Sequence, residues 1–170
     1  MAPLVRRGWA LKGCTPLFYQ KTRSHHKASV IAALVVSPAR RSVRLFFRIH
    51  RDRNINTALT IDFLRHLLRQ LRSPLFLIWD RWTPHRAKKT NVFLQRISRL
   101  HCAFLPAYAP ELNPVEYVWS WTKGGALANF APTSIDELTR AAFSASRRAQ
   151  RKEPLLRSFL RHSPLSLRLH

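Results

Sequence analysis

The apolar positions of this chain change period several times, and each change marks an element. Ala28 to Val36 is a nearly unbroken apolar run rich in Val and Ile that stops at Ser37-Pro38. Val43-Arg44-Leu45-Phe46-Phe47-Arg48-Ile49 follows with partial alternation, so two antiparallel strands joined by a turn around Pro38 to Arg41 are expected. From Thr57 to Arg72 the period becomes helical, with Leu64, Leu67, Leu68 and Leu71 at i, i+3, i+4 and i+7 and Asp62 expected in the first turn, where it would suit the helix dipole. Leu75-Phe76-Leu77-Ile78-Trp79-Asp80 is apolar up to its last residue and begins after Ser73-Pro74, which reads as a strand buried on both faces.

Thr83 is placed to cap a helix whose first residue is Pro84 and whose inner side is Val92, Phe93, Leu94 and Ile97. Leu100 to Leu105 makes another short strand. Asn113-Pro114 opens a further helix, packed through Val118 and Trp119 and stopped by Gly124-Gly125. The last helix of the main unit should begin at Ser134, carry Asp136 and Glu137 in its first turn, and run through Leu138, Ala142 and Phe143 toward Arg147-Arg148. The predicted organisation is an irregular basic leading segment (1–27), a single domain (28–150), and a basic C-terminal tail (151–170) holding a short amphipathic stretch after Pro154. A chain of 170 residues has room for one real core.

Charge narrows the partners. Lys and Arg outnumber Asp and Glu by 30 to 8, a formal net charge of +22. Self-repulsion on that scale calls for a polyanion, and nucleic acid is the expected partner. The basic residues are scattered rather than confined to one helix face, which argues against a membrane surface. The apolar run 28–36 is too short to span a bilayer, and residues 1–7 lack the core of a signal peptide, so a cytoplasmic location is expected. Cys14 and Cys102 are too few for a disulfide framework. His25-His26 and His101-Cys102 lack the spacing of a zinc site.

The candidate chemistry lies in two carboxylates. Asp80 would stand at the C-terminal end of its strand, where open α/β sheets gather reactive groups. Glu116 would stand in the first turn of the helix that Asn113-Pro114 opens. Two oxygen donors brought together suit a hard divalent cation such as magnesium. Each has a simpler reading. Asp is a common turn former after a strand, and Asn113-Pro114-Val115-Glu116 has the spacing of a capping box, in which the Glu would bond back to the Asn113 amide. His85 either decorates the next helix or contacts phosphate or a metal-bound water. Trp79 and Trp119 have core spacing, whereas Trp82, in a loop, is the better candidate for stacking on a base.

The apolar strand ending in Asp80, His85 a few residues on, and the block Leu105-Pro106-Ala107-Tyr108-Ala109-Pro110-Glu111-Leu112-Asn113-Pro114-Val115-Glu116-Tyr117-Val118-Trp119 together resemble the DDE-type transposases of the mariner-like superfamily, in particular the bacterial insertion-sequence branch. The 35 residues between Asp80 and Glu116 lie within the spacing that such enzymes use between their second and third acidic residues. The resemblance implies an α/β, ribonuclease H-like fold: a mixed sheet flanked by helices, here without its first, central strand. It implies Asp80 and Glu116 as catalytic and metal-binding residues, and His85, Trp82 and Asn113 as site-lining ones. Two Mg2+ or Mn2+ ions, about 3.5–4 Å apart, would serve hydrolytic nicking of transposon ends and strand transfer to target DNA.

The first catalytic Asp of the family would lie on a strand upstream of Gly8-Trp9, yet no acidic residue precedes Asp52, and a helix-turn-helix reading region is missing too. The expectation is therefore the C-terminal part of a transposase with an incomplete two-ion site, weak or inactive alone and bound to DNA near the bacterial nucleoid. An upstream transposase fragment, full-length transposase or a second copy are its expected protein partners. Asp52 and Asp62 are the alternatives for the lost carboxylate. The competing class is a non-catalytic nucleic-acid-binding remnant or regulator of full-length transposase.

Overall fold

The computed structural model describes residues 12–14, 27–165 and 169; the leading basic segment lies otherwise outside the described residues. Strands β1 (Ala28–Val36) and β2 (Val43–Arg51) form the expected antiparallel hairpin, in register from Ala28 opposite Arg51 to Val36 opposite Val43. Its turn is held by the Ser37 hydroxyl, which accepts from the Arg41 and Ser42 amides at 3.1 and 3.0 Å. Arg40 supplies the positive φ, 54°, that reverses the chain.

Helix α1 (Thr57–Gln70) starts where Asn56 Oδ1 accepts from the Leu59 amide at 3.0 Å. Its buried face is Thr60, Phe63, Leu64 and Leu67. Because the helix begins at Thr57, Asp62 sits past the first turn, contrary to expectation, and pairs with Arg48 of β2 instead of serving the dipole. The C-terminal carbonyls of α1 are met by Arg99, which donates to Leu68, Leu71 and Ser73.

Strands β3 (Leu75–Trp79) and β4 (Leu100–Phe104) pair in parallel, Leu75 opposite Leu100 through Trp79 opposite Phe104. The segment joining them is not the single helix expected. A one-turn helix α2 (Thr83–Arg86) is followed by an extended Ala87 and then α3 (Lys88–Gln95). Thr83 gives no side-chain cap, Val92 is exposed, and Ile97 falls beyond the helix. The break is stitched by the buried Thr90 hydroxyl, which donates to the Pro84 carbonyl at 2.7 Å.

After a 3-10 turn (Pro110–Leu112) come α4 (Pro114–Gly124), α5 (Ile135–Gln150) and α6 (Glu153–His162). Ser134 caps α5 as expected, with Asp136 and Glu137 in its first turn. Phe143 is 52% exposed rather than inward, meeting only the edge of Phe47. The amphipathic stretch after Pro154 is a full helix whose Leu156, Phe159 and Leu160 are buried in the core. Each such side chain stabilises the fold by about 2 kcal/mol. Glu153 Oε1 accepts from the Val43 amide and Gln150 Nε2 donates to the Leu45 carbonyl, tying α5 and α6 to β2.

The layers follow from alternation along the hairpin. Leu34, Val36, Val43 and Leu45 face α4 and α6. Ile31, Ala33, Val35 and Phe46 face the other way, into a second core with α1, α3 and the inner sides of β3 and β4. Among the described residues the strands make two separate two-stranded sheets resting on that shared core, with no strand joining them. β3 is not buried on both faces: Phe76 is 64% and Ile78 44% exposed, whereas Phe104 of β4, opposite Trp79 and stacked on its ring, lies on the other face. Covering helices α4 to α6 sit over the hairpin instead, so the outer face of β3–β4 stays open.

Candidate active site

Asp80 follows β3 directly, held at the end of a strand whose Trp79 is buried. Its Oδ1 accepts from the Trp82 amide at 3.0 Å, the local turn that Asp favours, and from His85 Nδ1–H at 2.8 Å. The His85 ring lies flat on Trp79, centroids 4.2 Å apart at 12°, and meets the Trp82 ring edge-on at 5.4 Å. Turn, imidazole and two indoles fix the carboxylate together. The His85 hydrogen bond, opposed by burial and aided by the Trp82 amide, lowers the Asp80 pKa below its ordinary value. Asp80 is therefore ionised and acceptor-only at neutral pH.

Glu116 arrives in the first turn of α4, whose N-cap is Asn113, with Oδ1 accepting from the Val115 amide at 3.2 Å. The capping box is not closed. The Asn113 amide that Glu116 would have bonded donates instead to the Pro110 carbonyl at 2.9 Å, because the preceding 3-10 turn delivers that carbonyl first. The Glu116 carboxyl is left solvent-facing. Burial by the surrounding protein nevertheless raises its pKa; Lys123 opposes the rise and the like charge of Asp80 adds to it. That last influence brings the two carboxylates within electrostatic reach of each other.

The remaining expected residues divide clearly. His85 and Trp82 both contact Asp80, whereas Asn113 caps the start of α4. Trp119, on α4 itself, is partly buried against the core. Asp52 is a turn residue with φ 49° whose Oδ1 accepts from the Lys27 amide, and Asp62 is paired with Arg48. No group of three or more His, Cys, Asp or Glu side chains arranged to hold a metal occurs among the described residues. Both cysteines are free thiols, and among the described residues no helix is long and apolar enough to cross a membrane.

Lys123 was not singled out by sequence reasoning. It stands seven residues after Glu116, hence on the same face of α4, and that spacing was the available signal. It also lines a cavity of about 340 Å³, with Ser29 at the start of β1, Asn54 and Ile55 after β2, and Trp82 and Trp119. The cavity thus shares Trp82, whose amide bonds Asp80, and Lys123, whose charge acts on Glu116, with the surroundings of the two carboxylates.

Two two-stranded sheets packed with helices, with carboxylates at a strand end and a helix start, make a ribonuclease H-like α/β domain. Residues 2–139 match the family described as DDE superfamily endonuclease, and the chain belongs to that family. Among the curated proteins, none matches. Solved structures share the fold: the Mos1 strand transfer complex (15% identity, TM-score 0.52, 98% of this chain and 52% of that one); the Mos1 transposase paired-end complex with the left transposon end (16%, 0.60, 95% and 47%); and the Mos1 mariner paired-end complex with Mn (14%, 0.52, 99% and 53%). The chain spans about half the length of these proteins.

Proposed function

We propose that this chain is the later part of a transposase catalytic domain, binding DNA and presenting Asp80 and Glu116 as two ligands of a divalent-ion site for DNA nicking and strand transfer. The observation that carries this reading is the Glu116 carboxyl: freed from the helix cap, solvent-facing and electrostatically coupled to Asp80. A Glu kept only for capping would be bonded to the Asn113 amide.

Asp80 and Glu116 fit a hard cation in chemistry, since both offer carboxylate oxygens and neither forms a salt bridge to a lysine or arginine among the described residues. Mg2+ or Mn2+, when bound, would supply Lewis acidity toward phosphate oxygens. In this chain the His85 hydrogen bond keeps Asp80 ionised and oriented, while Lys123 balances part of the negative charge beside Glu116. Two carboxylates are a thin donor set for a pair of divalent ions, so low activity of the isolated chain is part of the proposal. A loss of several kcal/mol of transition-state stabilisation corresponds to a rate roughly a thousandfold lower or more.

Manganese-dependent nicking of supercoiled DNA, measured on the chain and on Asp80→Ala, tests the reading. Slow nicking that disappears in the variant supports it. Tight DNA binding without manganese affinity would instead favour the non-catalytic reading, a DNA-bound regulator, which the +22 charge also supports.

A further inference from the structure

We infer that a second cavity, at the start of α1, seats a backbone phosphodiester of the bound DNA through Arg65 and Lys89. The inference rests on the DNA-binding reading above. The cavity holds about 430 Å³ and is lined by Asn56, Thr57, Ala58, Ile61, Arg65 and Lys89. Asn54 and Ile55, immediately before it in sequence, line the first cavity. The two cavities are thus neighbours along residues 54–58, and one DNA strand could engage both.

The lining chemistry suits a sugar-phosphate more than a free ion or an apolar ligand. Ala58 and Ile61 offer an apolar wall to a deoxyribose, and the two cations offer charge to the phosphate. Arg65 is pre-positioned, its guanidinium carbon 5.5 Å from the centre of the Phe93 ring, so little side-chain freedom is lost on engaging a phosphate. Its planar fork matches phosphate oxygens in pairs, while Lys89 acts as a point charge. Neither cation forms a salt bridge among the described residues. Asp62, one helical turn before Arg65, is already taken by Arg48. Charge of this kind, built into a cavity and left without a carboxylate, is complementary to a polyanion.

Binding of a short DNA duplex, titrated between 0.05 and about 0.5 M salt, tests the inference. Arg65→Gln/Lys89→Gln should reduce the slope of log K against log salt by about one phosphate's worth, 0.9, and weaken binding about eightfold at 0.1 M. Lys89→Glu alone, which leaves the Arg65–Phe93 contact intact, should lower affinity as well and guards against misfolding of the double variant. Arg40→Gln/Arg41→Gln, in the turn at the opposite end of β1, removes the same charge and should leave the slope unchanged. Equal losses in both double variants would mean that only overall charge matters, and would overturn the inference. So would parent-like slopes in the Arg65 and Lys89 variants while the parent binds DNA. A parent that binds no DNA at low salt overturns the DNA-binding reading itself, and this site with it.

Discussion

Asp80 has two separable jobs, and a pair of substitutions should pull them apart. As an acceptor it satisfies the Trp82 amide and His85 Nδ1–H; as a charge it is half of the proposed ion site. Asp80→Ala removes both. A hydrogen bond to a charged group is worth about 1.5–3 kcal/mol when shielded. The Asp80 side chain is 46% exposed, so solvent competition cuts each bond to well under that range, and a combined loss of about 1–2 kcal/mol is expected. For a chain of this size that lowers Tm by roughly 2–8 °C. Asp80→Asn keeps an oxygen acceptor for the amide and should cost less than half as much, yet it should abolish manganese binding as fully as the Ala variant.

The pH dependence has a fixed sign. The folded-state pKa of Asp80 is lowered, so its ionisation stabilises the fold above the unfolded value of about 3.9 and the benefit fades as pH falls through the lower, folded value. The stability gap between the parent and Asp80→Asn should therefore be constant near neutrality and close only in strong acid. Circular-dichroism melts across pH, with isothermal calorimetry in manganese, measure both quantities. If Asp80→Asn binds manganese like the parent, or if it destabilises as much as Ala, the division of roles is wrong.

Glu116→Gln should abolish manganese binding without lowering Tm, because the side chain closes no cap and its raised pKa marks an ionised form that the folded state disfavours; a lowered Tm would restore the capping role. Asn113→Ala, by contrast, should cost about 1 kcal/mol through the lost Val115 cap, read as a Tm lower by about 2–4 °C. DNA binding should show little sequence preference and a log–log salt slope near −5, about six phosphates neutralised, in fluorescence anisotropy; salt-independent binding contradicts it. Supplying an upstream segment with an apolar, Asp-bearing strand, fused or in trans, should raise Tm and restore metal-dependent nicking. No gain in either would mean that the space between the two sheets does not receive it.

Much of the hairpin and of α4 was legible because their signals are local: Ser37-Pro38 ends one strand, and Asn113-Pro114 starts one helix. Asp80 was legible for the same reason, as the first polar residue after an apolar strand. The break between α2 and α3 was not, since Ala87 carries no turn signature and its extended backbone is maintained by Thr90 reaching back to Pro84. The spacing of Leu156, Phe159 and Leu160 was visible, but only packing against β2 and α4 turns a short amphipathic stretch into a core helix. The open outer face of β3 was hidden because an apolar run looks the same whether one or both of its faces are covered. The fate of Glu116 depended on which carbonyl reached the Asn113 amide, a contest that spacing alone does not decide.

The uncovered Phe76 and Ile78 bear on the solution behaviour of the molecule. Two large apolar side chains on one face of a small sheet form a surface ready to stick to its own kind. What holds copies apart is their mutual charge, +22 on each. That protection reaches about 10 Å at 0.1 M salt and only about 3 Å at 1 M. Added salt, or a polyanion that neutralises the surface, removes the repulsion and leaves the apolar face intact. The conditions that quench the charge are thus the ones in which the chain most needs something laid over that face.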